Sequence, residues 1–457
     1  MHNQNLRPNV LLLTIDTLRA DMLSCYGYPE PITPHIDRLA LGGVRFKQAI
    51  TGGSWTQAAF PVIMTSTYAS MHGGCLGPLS PARPSPIETM AANGYTTVGF
   101  STSPLVSRTY GYQRGFKHFI DLIPGERDPL LRRIKGGERL LRLPVTHYLS
   151  SIFGKKICPA RLYVSAETLV DTACDWLQER SEPFFAWMHF MDIHWPYHLE
   201  ETMTTPPEIA RAWREMRHLH RVNWYGESIN EAQRARYFDL YVRSVQYTDM
   251  QIGRLLQILE REGLMENTVI ILLSDHGEEL LERGKWGHFE TNLYDEIVRV
   301  PLIFHLPGLK SEMVVEHQVR LLDVMPSILE LCNTPQPGGM DGVSLSPLWS
   351  GQEVIYDVDF SISEMWRDTR HIIAVRSESF KYIWDSRFPN QKELYNLQLD
   401  QKERNNVIEQ FPEKAQFFQS KVDDHLRRVE ESAVGGVSEP TLEEAMIRRL
   451  RDLGYVE

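Results

Sequence analysis

A carboxylate and an imidazole stand side by side directly after an apolar run near the middle of the chain. Residues 269–273 are apolar and several are β-branched, which is typical of a strand buried on both faces. The run changes abruptly to a polar turn containing Asp275 and His276. Ligands of open α/β sheets bind at the carboxyl ends of strands, and Asp beside His suits a metal with mixed oxygen and nitrogen ligands. The alternative is that both residues only cap the next helix.

Two other apolar runs end in residues of the same kind. Residues 9–15 resemble a second buried strand and are followed by Asp16. Residues 183–190 indicate a third, and His194 lies just past its end. If these strands are parallel, their carboxyl ends meet at one edge of a sheet. Asp16 could instead cap a helix, and His194 could be a structural histidine held near Trp195.

Thr56 places a hydroxyl at the start of a predicted helix. Residues 52–55 read Gly-Gly-Ser-Trp, and residues 57–68 have a helical pattern. Backbone N–H groups and the helix dipole favour an anion at such an N-terminus. A hydroxyl there is also a common helix cap, so this position alone does not distinguish a site from a cap.

Composition narrows the class of protein. The chain has 457 residues, 42% of them apolar and 23% charged, as in an ordinary globular protein with more than one lobe. Its net charge of -11 argues against general nucleic-acid binding. No leader-like segment precedes Asn9, and no apolar run approaches the ~20 residues of a membrane helix, so we expect a cytoplasmic protein. The 5 scattered cysteines form no CxxC pair, which favours reduced, structural thiols.

The order of elements predicts two units. Strands alternate with helices over 1–335, which indicates an α/β domain; this includes a strand at 298–304 and a helix at 319–331. Residues 336–457 have shorter, alternating segments and form a predicted α+β subdomain. Its expected elements are paired strands at 372–376 and 380–384, a segment at 393–397, and a charged terminal helix at 441–453.

Two segments read as insertions in the first unit. Residues 126–156 carry eight basic and three acidic side chains among interleaved leucines. This pattern is compatible with peripheral binding to an anionic membrane, with binding of an acidic substrate, or with a solvated helical insertion. Residues 200–236 are polar and helical, as in a lid, and precede a long amphipathic helix predicted at 237–262.

Six separated segments, in order along the chain, resemble the sulfatase family of the alkaline-phosphatase superfamily. They are residues 9–21, 33–40, 55–73, 189–197, 274–302 and 380–395. The resemblance spans nearly the whole chain and implies a large mixed, mostly parallel sheet sandwiched by helices, with a small C-terminal antiparallel sheet. It also implies one divalent metal ion, with Asp16, Thr56, Asp275 and His276 as ligands.

The sequence departs from the family pattern at its nucleophile. Sulfatases carry Cys or Ser there, followed by Pro and then Arg, and oxidise that residue to formylglycine. This chain has Thr56, with Phe60 in place of the arginine. Threonine's extra methyl group would give a ketone rather than an aldehyde, so we expect no formylglycine. Relatives in the superfamily that use unmodified Thr are phosphodiesterases and phosphoryl-transferring enzymes. Thr17 stands where many sulfatases have a second Asp.

The expected chemistry is attack by Thr56 on an ester. A threonine hydroxyl is a poor nucleophile until a bound metal lowers its pKa. The implied ligand set favours Mn²⁺ or Zn²⁺, with Ca²⁺ or Mg²⁺ as alternatives. His194, His288 and Lys381 would contact the substrate, and one of the histidines would protonate the leaving group. Lys381 could instead be an exposed strand residue.

Three functions remain open from the sequence. The first is a metal-dependent hydrolase of phosphate or sulfate esters, phosphate being favoured, on a small-molecule, glycan or lipid substrate. The second is a transferase that moves a phospho-alcohol group onto a glycan or lipid, supported only by the basic segment 126–156. The third is a catalytically inactive protein that kept the fold, which Phe60 slightly favours. The oligomeric state is left open.

Overall fold

The computed structural model describes residues 7–123, 163–199, 205–288, 292–350, 356, 358–367 and 370–433. The basic segment 126–156 and the predicted helix at 441–453 lie outside these ranges, so both stay predictions. Within the described ranges, no helix combines the length and apolarity needed to cross a bilayer.

The strands form a large mixed sheet, a small antiparallel sheet and a short hairpin. They are β1 (Asn9–Ile15), β2 (Gly43–Ile50), β3 (Thr96–Ser101), β4 (His118–Asp121), β5 (Phe184–Phe190), β6 (Thr268–Ser274), β7 (Glu279–Leu280), β8 (Trp286–Gly287), β9 (Arg299–Val300), β10 (Leu302–His305), β11 (Met313–Arg320), β12 (Ser361–Arg367), β13 (Arg370–Arg376), β14 (Phe380–Asp385) and β15 (Glu393–Asn396). The large sheet has the order β11-β2-β10-β6-β1-β5-β3-β4, with β9 paired to β2. β1 lies between β5 and β6 and is parallel to both. The predicted fold class is confirmed.

Helices cover both faces of the large sheet. They are α1 (Pro34–Leu41), α2 (Thr56–Thr65), α3 (Pro86–Ala92), α4 (Ala166–Gln178), α5 (Pro206–Tyr225), α6 (Glu231–Arg261), α7 (Asp295–Val298), α8 (Val324–Leu331), α9 (Pro347–Ser350) and α10 (Pro412–Glu431). Successive residues of β1 point to opposite cores, because side chains alternate along a strand. Leu11 packs in the core that contains α4 and α6, and Leu12 packs in the core that contains α2 and α8.

The small sheet is antiparallel and has the order β12-β13-β14-β15. It contains the strand pair predicted at 372–376 and 380–384. Helix α10 covers it by packing Phe418 and Val422 against Tyr382. Helix α10 was not predicted from the sequence, because most of its residues are polar or charged and its apolar stripe is narrow.

Three element boundaries differ from the predicted ones. Residues 313–320 form β11, which runs parallel beside β2, so the predicted helix at 319–331 was wrong in its first turn and begins at Val324. Pro301 interrupts the strand predicted at 298–304 and leaves β9 and β10; proline has no N–H to donate to a ladder. Helix α6 begins at Glu231 rather than at 237, because the Asn230 side chain caps it by accepting from the Gln233 N–H.

A buried ion-pair network joins the small sheet to α7. The Lys381 ammonium on β14 lies 2.9 Å from Asp295 Oδ1 and 2.9 Å from Glu403 Oε1. Arg376 on β13 adds a second contact to Asp295, at 2.9 Å. Burial opposes ionisation of Asp295, but the charges of Arg376 and Lys381 outweigh it and lower the pKa of that carboxyl. The small sheet therefore fixes the position of α7 through charges shielded from water.

The small sheet also supports the loop before α2. The Glu364 N–H on β12 donates to the Gly52 carbonyl at 2.9 Å, and the Ser363 hydroxyl donates to the Thr51 carbonyl at 2.6 Å. Helix α7 holds the same loop from another side, since the Thr51 N–H donates to the Val298 carbonyl at 2.9 Å. Both contacts act on backbone that leads to Thr56.

We expect Lys381→Met to lower the free energy of unfolding by about 3 kcal/mol, because removing one partner leaves buried carboxylates uncompensated. Urea denaturation measures this change. Lys402→Met is the matched control, since its side chain is exposed. Equal midpoints for the two variants would contradict the structural role of the network.

Candidate active site

Adjacent strand ends bring Asp16 and Asp275 together. Ile15 of β1 pairs with Ser274 of β6, so the two aspartates follow aligned positions. Both side chains are fully buried. The Asp16 N–H donates to the Phe190 carbonyl at the end of β5, at 2.9 Å, which fixes where β1 stops. The parallel register therefore places two carboxylates side by side.

Helix α2 delivers the Thr56 hydroxyl to the same place. Thr56 is the first residue of this helix, and its Oγ1 lies 3.5 Å from Asp16 Oδ2. Only glycine fits at position 53, because a Cβ there would lie 2.5 Å from the backbone of Ala58. This close turn points the N-terminus of α2 at the end of β1, where its dipole favours an anion.

The side chains of Asp16, Asp275 and His276 form a group that suits a metal ion. One ligand atom of each lies within 4.8 Å of the others. His276 Nε2 is 3.7 Å from Asp16 Oδ1 and 3.6 Å from Asp275 Oδ2, too far for hydrogen bonds. Two ligands of one tetrahedral ion lie about 3.4 Å apart, since each is about 2.1 Å from the ion. All three atoms are buried and have no hydrogen-bond partner within the described part of the chain.

The pKa shifts of this group show a site where buried negative charge lacks compensation, which a bound cation would supply. Burial, and then the charges of Asp275 and Glu278, raise the pKa of Asp16 well above its usual range. Burial raises the pKa of Asp275 as well. His276 donates from Nδ1 to the Gly277 carbonyl at 2.9 Å, which leaves the lone pair on Nε2. Burial lowers the pKa of His276, so the ring is neutral, as a metal ligand requires.

Close backbone packing holds the turn after β6. The Gly277 N–H donates to the Ile297 carbonyl of α7 at 2.7 Å. A Cβ on Gly277 would lie 2.2 Å from the Glu296 carbonyl oxygen, so only glycine permits this approach. Helix α7, held in turn by the small sheet, thus positions the Asp275 and His276 side chains.

Thr17 is held in a strained conformation beside the aspartates. Its φ is 58°, which is rare for a β-branched residue. Its N–H donates to Asp275 Oδ1 at 3.4 Å, and its carbonyl accepts from the Tyr241 hydroxyl at 2.8 Å. The Thr17 hydroxyl is buried and has no hydrogen-bond partner in the described ranges. Such strain persists only where surrounding contacts impose it, as at functional sites.

His194 and His288, predicted as substrate contacts, both lie beside the metal-ligand group. The His288 ring centroid is 4.4 Å from that of His276 and 5.1 Å from that of His194. His194 donates from Nδ1 to the Trp195 carbonyl at 2.8 Å. Burial, and then the neighbouring His288, lower the pKa of His194 to about 3, so this ring is neutral at pH 7.

Lys381 is not brought to this site by its described contacts. Its ammonium is fully buried between Asp295 and Glu403, as part of the network that holds α7. The expectation of an exposed strand residue is therefore wrong, and the contacts give no support to a substrate role. Burial of Lys381 could not be predicted from the sequence pattern, because Lys381 occupies an inward-facing position of β14, where an apolar residue is usual.

Two residues of the site, His189 and Glu278, were not predicted from the sequence. His189 Nε2 is 3.7 Å from Asp16 Oδ2, and burial lowers the pKa of His189 to about 3. A signal existed: His189 is the one polar residue in the apolar run of β5, level with Thr14 of β1. Glu278 directly follows the Asp-His-Gly turn, but no pattern showed that its carboxylate meets His288 at 3.0 Å.

Phe60 fills an apolar place one helical turn after Thr56. Its ring is fully buried and makes an edge-on contact with His189, with centroids 4.8 Å apart. Trp187 contacts it from another side at 5.7 Å. The arginine position of the sulfatase pattern is thus occupied by a ring packed among aromatic side chains.

Comparisons with known proteins agree with the fold. The model of the family described as Sulfatase matches residues 8–334, and that described as N-sulphoglucosamine sulphohydrolase, C-terminal, matches residues 284–432. The match to this family defines an ester-bond hydrolase. The chain belongs to the sulfatase family.

Three relatives illustrate the range of the likeness. An arylsulfatase of Clostridium perfringens is 24% identical over 476 residues, covering 94% of this chain and 97% of the relative. A Delta 4,5-hexuronate-2-O-sulfatase of Bacteroides thetaiotaomicron is 22% identical over 437 residues, covering 88% and 84%. The crystal structure of a phosphonate monoester hydrolase of Agrobacterium radiobacter superposes with a TM-score of 0.71 at 21% identity, covering 93% and 96%.

We expect divalent metal to stabilise the protein through Asp16, Asp275 and His276, because a cation relieves the repulsion between buried carboxylates. Mn²⁺ or Zn²⁺ at 100 times its Kd should raise the free energy of unfolding by about 2.7 kcal/mol. Thermal unfolding with and without chelator measures this. Asp275→Asn should abolish the response, whereas Asp171→Asn, an exposed aspartate paired with Arg254, should keep it. Stoichiometric metal retained by Asp275→Asn would refute the assignment.

Proposed function

We propose that this protein hydrolyses phosphate esters through the Thr56 hydroxyl, with a divalent cation held by Asp16, Asp275 and His276. The observation that supports it best is the approach of Thr56 Oγ1 to 3.5 Å from Asp16 Oδ2, at the N-terminus of α2. The cap position of this helix belongs to Trp55, whereas Thr56 is the first helical residue and directs its hydroxyl at Asp16. The cation, Mn²⁺ or Zn²⁺ by preference, would act as a Lewis acid that stabilises negative charge on oxygen.

Phosphate is favoured over sulfate because the formylglycine route is closed. Thr56 cannot give an aldehyde, and Phe60 replaces the arginine of the modification pattern with a buried ring. A solved structure of the same fold is a phosphonate monoester hydrolase, which supports accommodation of a phosphorus ester. Relatives named as sulfatases keep sulfate esters as the alternative substrate that an assay must include.

The chain's own groups supply a path for each proton. The Thr56 hydroxyl faces Asp16 Oδ2 at 3.5 Å, whereas Asp16 Oδ1 faces His276, so Oδ2 is the oxygen that can accept the hydroxyl proton. As Thr56 Oγ1 bonds to phosphorus, the bond to the leaving oxygen breaks and that oxygen takes a proton from His288. In the second step water attacks phosphorus, gives a proton to His288, and Asp16 returns its proton to Thr56. Each group then has its starting protonation.

His194 has a different role from His288 in this scheme. It is neutral and its Nδ1–H is bonded to the Trp195 carbonyl, so its Nε2 can only accept. We assign it to orientation of a substrate hydroxyl or phosphoryl O–H. The substrate itself is a small-molecule, glycan or lipid ester, as among the relatives whose names specify sugars.

We expect Thr56→Ala to lower kcat at least about 1000-fold on the preferred aryl ester, because it removes the nucleophile. Thr56→Ser should retain part of the activity, since it keeps the hydroxyl. Acid quenching of the wild-type protein during turnover should trap a phosphoryl adduct on Thr56, seen by intact-mass and peptide mass spectrometry.

Aryl phosphodiester, phosphomonoester and sulfate substrates should be compared with added Mn²⁺ or Zn²⁺. Thr172→Ala serves as the control, since Thr172 lies on α4, where its hydroxyl bonds the Thr168 carbonyl. Higher kcat/KM for the sulfate ester, persisting in Thr56→Ala, would defeat the proposal.

A further inference from the structure

Glu278 lies at the centre of a buried hydrogen-bond chain that ends on His288. Its Oε1 is 3.0 Å from His288 Nδ1, and its Oε2 accepts from the Tyr197 hydroxyl at 3.1 Å. The Trp286 Nε1–H donates to the same hydroxyl at 3.1 Å. Because a carboxylate only accepts, the proton between Glu278 and His288 lies on Nδ1.

The backbone on both sides of this chain is fixed as well. The Arg19 guanidinium donates to the Glu278 carbonyl at 3.0 Å and is itself paired with Asp21 at 2.7 Å. Tyr197 has a φ of 60°, a strained value for a non-glycine residue, and its carbonyl accepts from the Ser244 hydroxyl at 3.2 Å. Strain of this kind is retained where surrounding contacts impose it. Glu278, which accepts the hydrogen bond from His288, and Tyr197, which binds Glu278, are therefore both held in one backbone conformation.

We propose that Glu278 is a positioning residue, which orients His288 through Nδ1 so that Nε2 faces the leaving oxygen of the reaction proposed above. The orientation rests on the hydrogen bond, and the role in turnover rests on the proposed function. The Tyr197 hydroxyl binds Oε2 of Glu278, and Trp286 binds that hydroxyl. The carboxylate is thereby held with Oε1 directed at the imidazole. A histidine ring without such a partner can rotate or change tautomer, which misplaces its second nitrogen.

The neighbouring carboxylate provides a matched comparison. Glu279 is also buried, but its oxygens accept from the Arg283 and Lys285 N–H groups, each at 2.9 Å, and from Asn292 at 2.8 Å. No histidine is among these partners. Substitution of Glu279 therefore measures the effect of losing a buried carboxylate in the same region without touching His288.

The test combines a spectroscopic readout with kinetics on the metal-loaded protein. In histidine-selective ¹⁵N spectra, with the His288 signal assigned by its loss in His288→Gln, Nδ1 should carry a proton. Glu278→Leu should shift or broaden that signal, Glu278→Gln should restore it in part, and Glu279→Gln should leave it unchanged. An unprotonated Nδ1 in the wild-type protein, or an unchanged signal in Glu278→Leu, would overturn the positioning role.

Kinetics then test the consequence. Glu278→Leu should lower kcat roughly 10- to 100-fold with KM little changed, the size of effect seen when the partner of a functional histidine is removed. The loss should grow as the leaving phenol becomes more basic, and Tyr197→Phe should show a smaller loss of the same kind. An equal loss for all leaving groups would overturn the link to the leaving oxygen. If the wild-type protein turns over no ester, the proposed function fails, and the spectra still decide the role of Glu278.

Discussion

Two carboxylates held side by side in the dry interior are the constraint on which this structure depends. Asp16 and Asp275 follow neighbouring parallel strands in the same register, so the sheet itself brings their charges together. Burial and mutual repulsion disfavour two anions at this spacing. A cation held by both, with the neutral His276 as a third ligand, would resolve the conflict, and Thr56 Oγ1 lies 3.5 Å from the nearer Asp16 oxygen.

The small C-terminal sheet is part of the support for this site. Its β13 and β14 fix α7 by buried ion pairs, and α7 holds the turn that carries Asp275 and His276. Its β12 bonds the backbone just before α2. The backbone that leads to Thr56 and the turn that carries Asp275 and His276 thus rest on the same sheet. A disturbance there would reach the site through backbone positions rather than through contact with substrate.

Hydrogen-bond partners assign different roles to chemically identical side chains. His194 and His276 donate from Nδ1 to backbone carbonyls, which are neutral, and burial keeps both rings uncharged. His288 donates to the carboxylate of Glu278 instead. His276 and His194 therefore keep a lone pair on Nε2, which suits a metal ligand or a substrate contact. His288 is suited to exchange a proton.

The sequence by itself determined three strands of the central sheet (β1, β5 and β6), the polar turns at their ends, and the departure at Thr56. These features are local: apolar runs predict buried strands, and the residue after a strand lies at its carboxyl end whatever the rest of the chain does. The resemblance to sulfatases then predicted Asp16, Asp275 and His276 as metal ligands, and the structure brings these three side chains together.

Only the tertiary structure decided the remaining roles, because they depend on which side chains meet across long stretches of chain. It drew Lys381 into an ion pair 86 residues away in sequence, and it placed His189 against Asp16 through the pairing of β5 with β1. It also set the start of α8. Residues 313–320 pair with β2 and form a strand, so the helix can begin only after them. It also brought the Glu278 carboxylate to His288. The direction of a single carboxylate depends on the packing around it, and no pattern in the sequence predicts it.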